Sequence, residues 1–459
     1  MKNLFLACPN PDACLGSPSA ESISLAGICA VGYRGNLCSV CMEGYSRQGR
    51  DVCSKCPGLT SNIVVSTLVV VGALCLLALA IAISVRGANK PRSHLAIYVK
   101  IFMNYLQMIV VAASLSLSWP ALVRLFLNGQ ETVGSMAEQL FSFDCITQEF
   151  SPDRVSSTKL IAVSLLPAVL ILLSAFAWAV IALCFKQTAI RAKVISSTVM
   201  ILFLIHPSLT KLMLSDFSCR EVLPGELWLT VDLAQRCWDS AHVREVLTVV
   251  LPGLIVWGFG LPALALGFLV KCRAQLTDKV ISLEFSFLYK GYTEKWFYWE
   301  FVILYRKVAL ICSAVFFNSV STLVQALSVL AVLLICLFLQ LAVSPFAVSN
   351  FNLLEVKSLL VSLVTIYSGL YFEANSMNHT LNILIFLLIL LANAYFLLGW
   401  LRAVLPILLE TIRQRLNCGK RHYAIRPIPA KYDESMDESS GVSKGTGTHQ
   451  LGLSEVRAI

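Results

Sequence analysis

Ionisable and hydroxyl-bearing residues stand out in this sequence where they interrupt long apolar runs. Glu355, Ser358, Ser362, Thr365 and Gly369 recur at three- and four-residue spacing. At 100° per residue they share one face of a helix, while Leu359, Val361, Val364 and Ile366 fall mainly elsewhere. Two chemistries fit that face. A polar wall beside a water-filled path would have Glu355 near its cytoplasmic mouth. Close helix packing, the commoner use of small residues at this spacing, would let backbones approach. A second group is Trp296-Phe297-Tyr298-Trp299-Glu300 followed by Arg306-Lys307. Aromatic residues at a span entrance form an interfacial belt, and cations one turn further in can snorkel back to lipid headgroups. Glu300, Arg306 and Lys307 are therefore candidates for gating or, more ordinarily, for a cytoplasmic anchor. Glu300 and Lys307, seven apart, share a helix face.

Weaker polar signals lie elsewhere. Asn104 and Gln107 share a turn, and Gln325 and Gln340 mark another apolar run; interhelical hydrogen bonds account for all four. His206-Pro207 reads either as a broken helix exposing carbonyls, as transporters use, or as a kink satisfied by its neighbours. A catalytic constellation is missing. The sequence has no phosphate-binding glycine loop, no His-Glu-x-x-His, and no grouped Ser, His and Asp. No enzyme, no cofactor and no metal site are expected.

Cysteine carries the other chemistry. Seven residues (Cys8, Cys14, Cys29, Cys38, Cys41, Cys53 and Cys56) precede the first long apolar run, an odd number that predicts either an unpaired thiol or a missing upstream partner. Cys29, Cys41 and Cys53 open units of a 12-residue repeat. Two units read Cys-x-x-Gly-Tyr, at Cys29 to Tyr33 and Cys41 to Tyr45, each closing on a further cysteine, Cys38 or Cys53. Disulfides at Cys29, Cys38, Cys41, Cys53 and Cys56 would staple a small extracellular module without a large core. Zinc is the rival, since Cys38-x-x-Cys41 and Cys53-x-x-Cys56 have ribbon spacing. An oxidising outer side favours disulfides. Cys219 could bridge Cys237, or Cys145 could tie two hairpins by bonding either; both pairings stay open. Cys75, Cys184, Cys312 and Cys336 sit inside apolar runs as small packing residues.

The elements that must position these residues follow from composition. The chain has 459 residues, 57% apolar and 14% charged, and its mean hydropathy is +0.74. So few charges cannot solvate the surfaces of several globular domains. The class predicted is all-α: a polytopic transmembrane helix bundle of about nine spans with a small disulfide-rich N-terminal extracellular module. Apolar runs long enough for a bilayer core lie at residues 61–85, 97–118, 160–185, 194–214, 246–270, 299–317, 323–343, 356–372 and 381–401. The run at 194–214 carries Lys211, and that at 299–317 begins beside three charges. The organisation expected is a cysteine-rich EGF-like module at residues 1–58, spans at 59–403, and a basic juxtamembrane segment with a disordered tail at 404–459.

The net charge of +9 is a topology signal and not a nucleic-acid one. Lys and Arg collect in cytoplasmic loops. Arg86, Lys90 and Arg92, then Lys186, Arg191 and Lys193, then the stretch 271–307 fall inside if the N-terminus is outside; residues 131–153 and 216–245 fall outside. Leu4-Phe5-Leu6-Ala7 is too short for a secretory signal core. Asn378-His379-Thr380 is a glycosylation acceptor on the predicted outer side. Residues 402–426 hold six basic residues (Arg402, Arg413, Arg415, Lys420, Arg421, Arg426) against Glu410. Such a segment is drawn to anionic lipid, and Cys418 within it is a palmitoylation candidate. The partners expected are the bilayer and anionic lipids, with self-association left open and plasma membrane the default location.

Residues 29–57, Asn104-Tyr105-Leu106-Gln107 with Trp119-Pro120, Phe141-Ser142-Phe143-Asp144-Cys145, Tyr298-Trp299-Glu300 with Arg306-Lys307, and Asn352-Leu353-Leu354-Glu355 carry a resemblance. Together they resemble the membrane portion of large cysteine-rich multi-span proteins of protists and algae. Those carry EGF-like or ephrin-receptor-like repeats before a polytopic domain distantly similar to transient-receptor-potential-like proteins. The resemblance implies an ion-channel-like or surface-sensing role; no functional residue is carried across. One departure counts against a channel of that type, which needs a re-entrant pore segment between its last helices. The turns at 318–322 and 374–380 are too short for one, and the longer 120–158 lies between early spans. The function expected is ion-channel-like or transport-related, with a cell-surface sensor, receptor or adhesion protein as the alternative.

Overall fold

Apolar segments without water to bond their backbones must satisfy every N–H and C=O internally, and long helices do so. The computed structural model describes residues 8, 10–15, 28–48, 52–56, 58–88, 94–115, 117–134, 155–185, 189–223, 225–374 and 379–422. Its helices, in order, are α1 (Leu59–Ala88), α2 (Leu95–Ala113), α3 (Ala121–Gly134), α4 (Val155–Phe185) and α5 (Ile190–Ser215). Next come the composite α6 (Ser240–Lys271), α7 (Lys279–Tyr289), α8 (Trp299–Phe316), α9 (Thr322–Val343), α10 (Ser349–Ala374) and α11 (His379–His422). Two turns of α6, Val246–Val250 and Leu254–Gly260, are π-helical.

Among the described residues, 8 helices are long and apolar enough to cross a membrane: α1, α2, α4, α5, α6, α9, α10 and α11. Nine were expected. The run at 299–317 does form a helix, α8, but Glu300, Arg306 and Lys307 within its 18 residues take it out of that set. The stretch 271–307 is also not a plain loop, because α7 packs there against α5. Large apolar side chains point outward from the long helices: Leu183 is 85% exposed and Phe338 71%. A surface so apolar suits lipid and not water. Cys75 and Cys184 lie on it as free thiols.

The largest apolar core joins α2, α8, α9, α10 and α11 through Tyr105, Ile109, Ile303, Val329, Leu359 and Phe396. A second joins α4, α5 and α6 through Val163, Ile201, Met213 and Val250. The chain divides at Ile407/Leu408, with the head in the same unit as the helices up to that point. The described part of the second unit, from Leu408, is helical to His422; the tail beyond it, including Arg426, lies outside the described residues.

The head holds two antiparallel hairpins, β1 (Tyr33–Arg34) with β2 (Val40–Cys41) and β3 (Tyr45–Gln48) with β4 (Val52–Lys55). Disulfides join Cys8–Cys14, Cys29–Cys38 and Cys41–Cys53. Each Cys-x-x-Gly-Tyr unit therefore closes as its repeat suggests, and the zinc-ribbon pairing is overturned because Cys38 and Cys41 enter different bridges. Cys56 is disulfide-bonded as well, so the odd count leaves no free thiol there. The repeat's glycine has a physical role. Gly32 sits at φ +94° beneath the Tyr45 ring, where a Cβ would come within 2.7 Å of it. Tyr33 in turn accepts the Cys53 N–H at 3.0 Å.

Between α5 and α6 the chain forms a three-stranded antiparallel sheet, β5 (Cys219–Leu223), β6 (Glu226–Leu229) and β7 (Asp232–Arg236). A Cys219–Cys237 bridge ties its ends. The head docks on this sheet. Asn36 donates to the Leu233 carbonyl at 2.8 Å, and Leu37 packs against Val222, Trp228 and Leu233. Asn378 and Cys145 lie outside the described residues.

Candidate functional site

Charge concentrates where α2, α8 and α10 meet. On α2, Lys100, Met103, Asn104 and Gln107 follow helical spacing and line one side of a small cavity. Glu300 and Lys307, two turns apart on α8, face it from another side; Met200, Phe203 and Leu204 of α5 and Phe287 of α7 complete much of the wall. Lys100 Nζ lies 2.6 Å from Glu300 Oε2 and donates to the Phe287 carbonyl at 2.9 Å. Tyr292 donates its hydroxyl to the same Glu300 oxygen at 2.8 Å. Glu300 also stands in the first turn of α8, where a carboxylate suits the helix dipole.

On the other side of α8, Arg306 Nη1 approaches Glu355 Oε1 of α10 at 2.8 Å. The approach is off the N–H direction, so this is an ion pair without a formed hydrogen bond. Arg306 Nε and Nη2 and both Glu355 oxygens make none. All five groups are nearly excluded from the surface: Lys100 7%, Glu300 0%, Arg306 7%, Lys307 6% and Glu355 0% exposed. Lys307 stands within Coulomb range of the other four. Its ammonium lies 5.7 Å from the Phe203 ring centroid; among the described residues it has no ion pair and no hydrogen bond. Unused hydrogen-bond capacity also remains on Asn104 Nδ2, Gln107 Oε1 and Glu300 Oε1. Three of these five side chains, Lys100, Glu300 and Lys307, line a cavity of about 30 Å³, room for one or two waters where one needs about 10–15 Å³.

This placement corrects the anchor reading of Glu300, Arg306 and Lys307. The cations are buried within the helix assembly, as are Phe297 and Trp299, while Trp296 and Tyr298 are half-buried. Asn104 Nδ2 and Gln107 Oε1 likewise lack the interhelical bonds expected. Gln325 and Gln340 do make bonds, to the Ala314 carbonyl and to Asn352 Oδ1. His206 Nε2 meets the Gly258 carbonyl at 2.9 Å, in a π-helical turn of α6. Helix α5 runs unbroken through Pro207, against the broken-helix reading, and the other ring nitrogen, His206 Nδ1, makes no hydrogen bond.

The α10 face forms a different environment. Ser358, Ser362 and Thr365 are fully buried, and their hydroxyls donate to carbonyls of their own helix, those of Glu355, Ser358 and Val361. Gly369 packs so closely that a Cβ would stand 2.4 Å from Trp119 and 2.6 Å from Leu117. This is the geometry of a packing seam and not of a wetted wall. Asn393 of α11, an isolated amide in the last apolar run, went unremarked in the sequence. Its Nδ2 reaches Thr365 at 3.3 Å, and its Oδ1 accepts from Tyr105 of α2. Sequence reading also missed a cap at the end of α5, where His242 Nε2 meets the Asp216 carbonyl at 3.1 Å. Burial and then the Glu245 carboxylate push the Asp216 carboxyl up to about 7.

Fold and site together define a protein of apolar helices with a disulfide-rich head and a buried charge cluster, a class compatible with membrane proteins. A family model described as a domain of unknown function, DUF7630, matches residues 5–56. Over 379 residues the chain is 23% identical to cysteine repeat modular protein A of Toxoplasma gondii, covering 67% of this chain and 12% of that protein. The chain thus spans about an eighth of the length of the relative it matches. No solved structure matches it. The match accords with a cysteine-rich protein of protist type; EGF-like and transient-receptor-potential-like character find no counterpart in it.

Proposed function

We propose that this chain is a multi-pass integral membrane protein, ion-channel-like or transport-related, that handles its solute at the charge cluster of α2, α8 and α10. One observation carries the reading. Ionisable groups inside an apolar helix assembly are expensive, and they mark pathways or switches far more often than structure. Here three of them, Lys100, Glu300 and Lys307, line a cavity where Asn104, Gln107 and Glu300 leave hydrogen-bond sites unused, and a further buried pair, Arg306 and Glu355, lies within Coulomb range of Lys307. In this reading α8 is a ninth span, tolerated because its charges face other helices and not lipid. The head then lies outside, the end of α11 in the cytoplasm beside anionic lipid, and the membrane is the plasma membrane. Catalysis and cofactors form no part of it.

The test is solute flux in liposomes holding the purified full chain. Wild type passes a small inorganic ion, and Glu300→Gln, which frees Lys100 from its partner, changes the rate while the yield of folded protein holds. Flux unaltered by that change in a folded variant, or absent from wild type for every small ion tried, would overturn the reading.

A second reading, a cell-surface sensor, is favoured by one contact. The head grips the sheet between α5 and α6 through Asn36 and Leu37, and α5 runs from that sheet to the cavity wall at Phe203. A ligand that shifted the head would load α5. The named relative is itself a cysteine repeat protein, which suits a head that reads the exterior. A sensor of this kind shows no flux in the same liposomes.

A further inference from the structure

The charges at the cluster do not cancel. Lys100 is matched by Glu300 and Arg306 by Glu355. Lys307 is left over. It is 6% exposed, lines the cavity, and among the described residues has no ion pair or hydrogen bond, its ammonium standing 5.7 Å from the Phe203 ring centroid. A cation–π contact offsets part of the loss of water but supplies no counter-charge. A buried charge is tolerated when paired, so the missing element is an anion or the loss of the proton. Beside Lys307 the cavity also presents Asn104, 2% exposed, whose Nδ2 donor is unused.

We propose that this cavity binds one small monovalent inorganic anion of halide size, held by the Lys307 ammonium and the Asn104 amide. The inference rests on the transport reading only in using the same site, since binding can be measured where flux is absent. Size selects the class. A cavity of about 30 Å³ matches an ion comparable to a water or two better than a lipid phosphate or an organic acid. Charge selects the sign, because two cations (Lys100, Lys307) line the cavity against one carboxylate (Glu300), while Arg306 and Glu355 offset each other outside the lining. Water alone would satisfy Asn104 and Gln107 but would leave the ammonium without a counter-charge. Glu300 Oε1 also makes no hydrogen bond; it would oppose an anion near it, which places the binding end at Lys307 and Asn104. Gln107 enters as a neutral wall whose amide can be turned to donate.

The experiment is thermal unfolding of the detergent-solubilised full chain in chloride against gluconate at equal ionic strength. A ligand that binds the folded state raises its melting temperature by mass action. Wild type shows a saturable upward shift with chloride. Lys307→Met loses the shift, Lys307→Arg keeps it, and Asn104→Ala needs roughly tenfold more chloride, as expected for one lost hydrogen bond to a charge. Equal melting in the two salts for wild type would overturn the proposal. A chloride shift that survives in Lys307→Met would overturn it too, as binding elsewhere. Should Lys307→Met fail to fold, wild type and Asn104→Ala decide between the same outcomes. Chloride binding without flux would sink only the transport reading, and flux without chloride binding only this one.

Discussion

Arg306 and Glu355 show what a buried charge does in a helix assembly. Both are all but excluded from the surface, and they stand 2.8 Å apart, yet neither completes its hydrogen bonds with the other. Coulomb attraction in such a site is offset by the loss of hydration, so the pair as a whole adds little stability, whereas removing one member strands the other. Arg306→Met or Glu355→Leu alone should destabilise the folded protein by about 3–5 kcal/mol, and the double variant should recover most of that loss. Thermal unfolding of the four proteins measures the coupling. Additive losses would show that the two side chains do not act as a pair. Lys307 differs in kind, because no described carboxylate pairs with it. The sequence shows the charges and their helical spacing, and it places Glu300 and Lys307 on one face. It is silent on which charge meets which, since Lys100 and Glu300 are 200 residues apart, and the cavity exists only once α1, α2, α5, α7 and α8 are together.

Each helix spends its polar residues in one of two ways, and α10 and α2 are the contrast. Along α10 the hydroxyls of Ser358, Ser362 and Thr365 fold back on their own backbone, which lets neighbours approach an essentially apolar surface. Gly369 ends that face under the Trp119 ring. Gly369→Val should collide there and cost about 1–3 kcal/mol of stability, as overpacking does. Ser362→Ala, which removes a bond the backbone does not need, should melt close to wild type. A Gly369→Val protein as stable as wild type would remove the seam. Along α2 the longer amides of Asn104 and Gln107 reach into space and remain without partners. Three/four spacing of polar residues was legible on both helices, but spacing alone does not separate a seam from a wet wall. Side-chain reach does, and only once a neighbour is in place. The positions of the long apolar helices were legible because periodicity and length are local properties. The small sheet β5–β7 and the inward helix α7 were not, because their residues are ordinary for loops and are ordered by what they pack on.

At the scale of the molecule two solvents are in play. Disulfides staple a head too small for a large core, and outward-facing leucine and phenylalanine clothe long helices with a surface compatible with lipid. The odd cysteine count of the head predicts an unpaired thiol, yet Cys56 is disulfide-bonded, so parity within one segment is no guide to pairing. The wetness of the cavity against the dryness of the α10 seam is the claim on which the functional reading turns, and a water-soluble thiol reagent reports it directly. Single cysteines at Asn104→Cys, Lys307→Cys and Ser362→Cys, in a full chain whose free thiols are replaced by serine, would be challenged in sealed membranes. Rapid modification at Asn104→Cys and Lys307→Cys with protection at Ser362→Cys is the result expected. Modification at Ser362→Cys with both cavity positions inert would contradict it.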